Sequence, residues 1–245
     1  MATRRARPPL GLANMSGAAP HYLGHRERLR QRLFEAGAEN LPDYEILEML
    51  LAASNPRGDT KPLAKALIDH FGGLAAVLSA DREVLQSVRA EGRGLGEAGA
   101  AMLKAVRQAA LRLSESALRE SSVIGSWDKL IDYCKAHIAH GTVEEFHLLF
   151  LDRKNMLIAH ERQQRGTIDH TPVYPREVVK RALELSASAL ILVHNHPSGD
   201  PTPSKTDIAV TQDIKKAAAP LGVVLHDHVI IGRNGHTSLR DLGLI

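Results

Sequence analysis

The sequence predicts an α+β protein in two parts: a helical N-terminal bundle, then a mixed sheet flanked by helices. Three observations carry this. Residues 22–113 repeat apolar positions three and four apart, the helical period. Residues 126–245 alternate strand-length apolar runs with amphipathic stretches, the pattern of a sheet with helices packed on it. The serine-rich stretch 114–125 between them reads as a linker.

Composition narrows the class. The chain has 245 residues, 44% hydrophobic and 24% charged, an ordinary globular balance. No apolar run approaches the roughly 20 residues that span a bilayer, and the N-terminus lacks the apolar core of a secretory signal. No membrane partner is expected. The single Cys134 excludes a disulfide framework and a cysteine-rich zinc finger. The expectation is a soluble protein of the reducing cytoplasm. Net charge is +3, and residues 1–113 carry 16 Lys+Arg against 12 Asp+Glu. That surplus suits either a solvated helical surface or a weak nucleic-acid contact.

Residues 1–21 read as a disordered basic tail, with three arginines, three prolines and no acid in the first 20. Helices follow over 44–53, 62–71, 74–78, 83–88 and 98–113. Gly94-Leu95-Gly96 before the last of these resembles the turn of a helix-hairpin-helix module, where backbone N–H groups hold a DNA phosphate. A plain glycine turn between packed helices reads equally from the residues. Beyond the linker come a helix over 127–138 and a strand hairpin over 145–152 and 156–162. A short third strand is read at Gly166-Thr167-Ile168, a helix at 175–185 and a buried strand at 189–193. A helix opened by Ser204 runs to about 219, and one late strand or two cover 223–231.

The chemistry concentrates after the buried strand. His194 and His196 are two apart, so on a strand they share a face while Asn195 points away. Pro197 ends the strand. A short loop then leads to Ser204-Lys205-Thr206-Asp207, where Ser204 suits an N-cap and Asp207 the reciprocal capping position. The same loop returns Asp207 to the histidines as a third ligand. Capping and ligation compete for one carboxylate. Three protein ligands leave a fourth tetrahedral position open, the mark of a catalytic rather than a structural zinc. Nitrogen and oxygen donors also admit manganese or iron. His226 and His228 form a rival pair without a matching downstream carboxylate. They read as packing or supporting residues, with Asp227 a candidate to orient a ligand imidazole.

His194, His196, Pro197, Ser204 and Asp207 at these spacings resemble the JAMM (MPN+) metalloprotease motif. The string His194-Asn195-His196-Pro197-Ser198-Gly199-Asp200-Pro201, with Arg165-Gly166-Thr167-Ile168 and Pro175-Arg176-Glu177-Val178-Val179, resembles the RadC family. The resemblance runs from about Tyr22 to the end. It implies a JAMM fold, itself akin to cytidine deaminases, over 126–245. It also implies a zinc-dependent hydrolase acting on a peptide or isopeptide bond of a protein substrate. Glu161 matches the motif's upstream glutamate and is implied as general base, with Ser204 donating to the oxyanion. A nucleobase deaminase is excluded, because that chemistry needs Pro-Cys-x-x-Cys and only Cys134 is present. RadC resemblance also carries a DNA-repair label. A DNA-processing metal enzyme gripping DNA through 22–113, and a non-catalytic module with a structural metal, are the alternative readings.

Overall fold

The computed structural model describes residues 24–56, 58–165, 173–233 and 235–245. The expected tail and the third strand at 166–168 lie outside them.

The N-terminal part is helical, as the apolar spacing requires. Helices α1 (His25–Ala36), α2 (Asp43–Ser54), α3 (Lys61–Phe71), α4 (Leu74–Ser79) and α5 (Arg82–Ser87) come first. Leu47, Leu51, Leu63, Leu67, Val77 and Leu103 are all buried in one cluster there. A small hairpin, β1 (Arg89–Ala90) and β2 (Arg93–Gly94), precedes the long helix α6 (Glu97–Arg119). The stretch 114–125, expected as a linker, is helical as far as Arg119. Leu111 and Leu118 are buried and continue the apolar stripe of α6, so the serines add too little local competition to end it. Arg119 also donates to the carbonyls of Leu157 and Ile158 at 3.1 and 2.9 Å, fixing the end of α6 to the sheet.

The C-terminal part is a five-stranded mixed sheet. Its elements are α7 (Trp127–Ile138), β3 (Glu145–Leu151), β4 (Leu157–Arg165), α8 (Pro175–Glu184), β5 (Ala189–Asn195), α9 (Lys205–Ala218), β6 (Val224–Ile231) and β7 (His236–Ser238). The strand order is β4-β3-β5-β6-β7, with β5 and β6 parallel and the other pairs antiparallel. All seven residues of β5 are buried, because helices cover both faces of the sheet. Ile191 and Val193 pack on the side of α7. Leu190 and Leu192 pack on the side of α8 and α9. The expectation of one late strand or two resolves as one, β6, with β7 as an added short edge.

Buried Asp227 on β6 ties these last elements together. Its carboxylate accepts from the backbone N–H of His228 at 2.7 Å, from that of Arg240 at 3.0 Å and from the Ser238 hydroxyl. Asp227→Ala should therefore destabilise the chain by on the order of 3 kcal/mol, because buried donors lose their acceptor. Urea denaturation checks this against Asp241→Ala, a substitution at an exposed position, which should cost much less.

Candidate metal centre

Side-chain alternation along β5 decides which way the histidines point. His194 continues the Leu190–Leu192 face and lies under α9, fully buried, while Asn195 belongs to the opposite face. Phe146 on β3 pairs with His194 in register and stacks on its ring at 6.0 Å with an interplanar angle of 13°.

The loop after Pro197 returns the chain so that α9 begins beside the strand end. Ser204 caps α9 and accepts from the Asp207 N–H at 3.1 Å, while Asp207 Oδ2 accepts from the Ser204 N–H at 2.7 Å. The full capping box forms, and the same carboxylate still reaches both histidines. Asp207 Oδ1 is 3.4 Å from His194 Nε2, and Oδ2 is 3.6 Å from His196 Nε2. The two Nε2 atoms are 2.9 Å apart. Capping and ligation, expected to compete, use one carboxylate together, because its second oxygen remains available.

The hydrogen bonds around the pair fix both tautomers. His196 Nδ1 lies 2.8 Å from the Asp200 carbonyl, which only accepts, so Nδ1 carries the proton and Nε2 the lone pair. The Thr211 hydroxyl donates to the Asp207 carbonyl. It must then accept from His228 Nδ1. Burial first, then the neighbouring His194, push His228 well below the usual histidine pKa, so its ring is neutral. His228 Nε2 is consequently an acceptor, and His194 Nδ1 donates to it at 2.8 Å. His194 Nε2 is left with its lone pair. Burial also holds His194 down to about 4, against the pull of Asp207.

Two lone pairs 2.9 Å apart repel unless a proton or a metal ion lies between them. A tetrahedral ion at about 2.0–2.1 Å from nitrogen and oxygen ligands separates those ligands by about 3.3 Å, close to the three distances found. The donor set fits a metal: His194, His196 and Asp207 converge to within 4.8 Å of one another and could hold an ion.

Of the remaining expected site residues, Ser204 stands at the α9 N-cap beside Asp207 and Glu161 falls elsewhere. Glu161 lies on β4 and is held by Arg181 of α8, with contacts of 2.9 and 2.6 Å. Strand β3 separates β4 from β5, so the Glu161 backbone lies about 10 Å to the side of the histidine strand. The sequence reading missed Glu144. Phe146 pairs with His194 at the end of the β3–β5 register, and Glu144 stands two residues before Phe146 in the chain. The Asp207 carboxylate, as the acceptor for the protonated ring, raises the His196 pKa most, and the charge of Glu144 adds to it. The signal was available in Glu144-Glu145 standing just before an apolar strand. Ser204 is exposed at the α9 N-cap.

His226 and His228 do not act as a pair. A bulge between β5 and β6 leaves His226 without a register partner, and His226 hydrogen-bonds Asn155 at 2.7 Å. It is His228, not Asp227, that orients the ligand imidazole. Gly94-Leu95-Gly96 joins the small hairpin to α6, with Gly96 exposed. The chain reverses at Glu91-Gly92, both with positive φ. Gly94 lies in β2 beneath the Arg89 guanidinium, and Gly96 N-caps α6.

Set beside known families, residues 124–244 match the one described as the RadC-like JAB domain. No helix among the described residues is long and apolar enough to cross a membrane.

This geometry predicts about one divalent metal per chain. His194→Ala should abolish binding and His226→Ala should not, as read by elemental analysis. His228→Ala, which frees the His194 tautomer, should weaken affinity about tenfold to a hundredfold. Occupancy should fall as pH drops through the raised pKa of His196, because the proton competes for the Nε2 lone pair. Equal metal content in His194→Ala and wild type would overturn the assignment.

Proposed function

We propose that residues 124–244, which belong to the RadC-like JAB family, form a zinc-dependent hydrolase that cleaves an amide bond in a peptide or isopeptide link. The observation that carries this is the pair of Nε2 lone pairs aimed at one point beside a carboxylate, at 2.9–3.6 Å. Three ligands leave one position for chemistry. His194, His196 and Asp207 would hold the ion, which supplies Lewis acidity toward the scissile carbonyl and the attacking water.

The chain's own groups do the rest. A general base must take the water's proton and return it to the leaving nitrogen. Glu144, two residues before the Phe146 that pairs with His194 and close enough to act on the His196 charge, is better situated for this than Glu161, whose oxygens are occupied by Arg181. Ser204 Oγ accepts from the Asp207 N–H and keeps its own proton to donate to a developing oxyanion. Asn195 positions the base. Its Nδ2 donates to the Val143 carbonyl at 3.0 Å and its Oδ1 accepts from the Glu145 N–H at 2.8 Å, holding the segment around Glu144 against the strand end.

Glu144→Gln and Glu161→Gln separate the two carboxylates. On a quenched fluorescent peptide library and an isopeptide-linked substrate, Glu144→Gln should retain metal and lose activity by about a hundredfold or more, the range of a general base. Glu161→Gln should keep most of it. Loss of activity in Glu161→Gln alone would return the base to β4. Absence of any amide cleavage by metal-loaded wild type would sink the hydrolase reading.

A further inference from the structure

A second polar site lies on the far side of the sheet from the metal centre. A cleft of about 480 Å³ opens between α6 and the end of α7, with β3 and β4 at its floor. That volume is within the range of small-molecule sites. Its walls carry Lys104 and Arg107 from α6, His137 from α7 and Arg162 from β4.

The cations here lack charged partners of their own. Lys104 donates to the carbonyls of Ser79 and Ala80, and Arg107 donates to the His137 carbonyl at 2.8 Å. Among the described residues, neither lies in an ion pair. Only Arg162 does so, with Glu145 at 3.2 Å. Burial depresses the Lys104 pKa first, and the neighbouring Arg107 charge depresses it further. Burial likewise works against the Arg107 charge, although Glu145 offsets it in part. Two cations are therefore held together in a half-dry wall, hydrogen-bonded to neutral dipoles, with the carboxylates of Asp81 and Glu145 also on the lining, and a bound anion relieves the remaining repulsion between them.

Two further atoms point the same way. Arg107 Nε and His137 Nε2 are buried with no hydrogen-bond partner. Buried polar groups are nearly always satisfied, so two orphans on one cleft wall call for a ligand. His137 is pushed down to about 4 by burial and then by His147 and Arg107. At neutral pH it is an uncharged ring that can donate from Nε2. A planar carboxylate offers two oxygens, whereas ammonium, guanidinium and imidazole donors on different elements suit an anion with more. We propose that this cleft binds the phosphate group of a small molecule of nucleotide size, through Lys104, Arg107, His137 and Arg162.

The site joins the two parts of the chain, because α6 supplies one wall and the sheet supplies the other. It is independent of the hydrolase reading, since the test is binding alone. The full-length protein is stripped of metal with a chelator, so that phosphate cannot bind at the histidines. It is then titrated calorimetrically, at fixed ionic strength, with pyrophosphate, adenosine monophosphate and a short single-stranded DNA. Pyrophosphate and the nucleotide should bind at one site per chain. Arg107→Gln and Lys104→Gln should each weaken them about tenfold, the loss expected for a charge-assisted contact, while Arg107→Lys should lose less. Thermal melting identifies any variant that fails to fold, and Lys104→Gln then carries the test alone. Unchanged affinity in a folded variant, no binding by the stripped wild type, or binding of the DNA alone would overturn the proposal.

Discussion

The metal centre depends on β5 being buried on both faces. A strand sealed between two helical layers cannot rotate or slip without exposing apolar side chains, so the direction of each residue is fixed by its parity. His194 inherits the orientation of Leu190 and Leu192, and its ring is sealed by Phe146 and α9. The same burial removes water from around the ring and disfavours the imidazolium. His194 is thus kept in the neutral form that a metal requires. Tautomer selection adds the second half of the constraint. A chain of hydrogen bonds from His194 through His228 and Thr211 ends on the Asp207 carbonyl. The orientation of one ligand is therefore coupled to the helix that carries another.

Sheet order then sorts the carboxylates. Glu161 lies in the middle of β4 and Glu144 just before β3, and local sequence does not show which of them meets the histidines. Strand β3 lies between β4 and β5, which moves Glu161 two strands from the histidines and gives it to Arg181. The same adjacency of β3 and β5 brings the start of β3, and Glu144 with it, beside the end of β5. Consecutive residues there serve separate polar sites. Glu144, just before β3, adds its charge to the surroundings of His196, while Glu145 lines the cleft with Arg162 and His147.

Continuity of α6 gives the helical part a structural relation to those sites. It runs unbroken through Arg119, into the first half of the expected linker, and is anchored to β4 by Arg119 and to α7 by Arg107. A flexible connection would leave the cleft without its α6 wall. The apolar stripe that extends α6 therefore also holds Lys104 and Arg107 against the sheet.

The ligand set was readable from sequence because its parts are close in the chain and governed by local rules. Period-two alternation aligned His194 with His196, Pro197 stopped the strand, and Ser204 announced the helix that carries Asp207. The helices of the N-terminal part and the α+β class followed equally from short-range apolar spacing. Which carboxylate stands near the histidines was not readable this way, because that depends on which strand lies beside β5. The bulge that separates His226 from His228 was hidden for the same reason, since it arises from pairing with another strand. The cleft of Lys104, Arg107, His137 and Arg162 assembles residues from three elements that no local pattern associates. Spacing within one strand, turn and helix is set by backbone geometry, so sequence alone determined the metal ligands. Strand order and register are set by the packing of distant segments, so only the tertiary structure decided which other groups meet them.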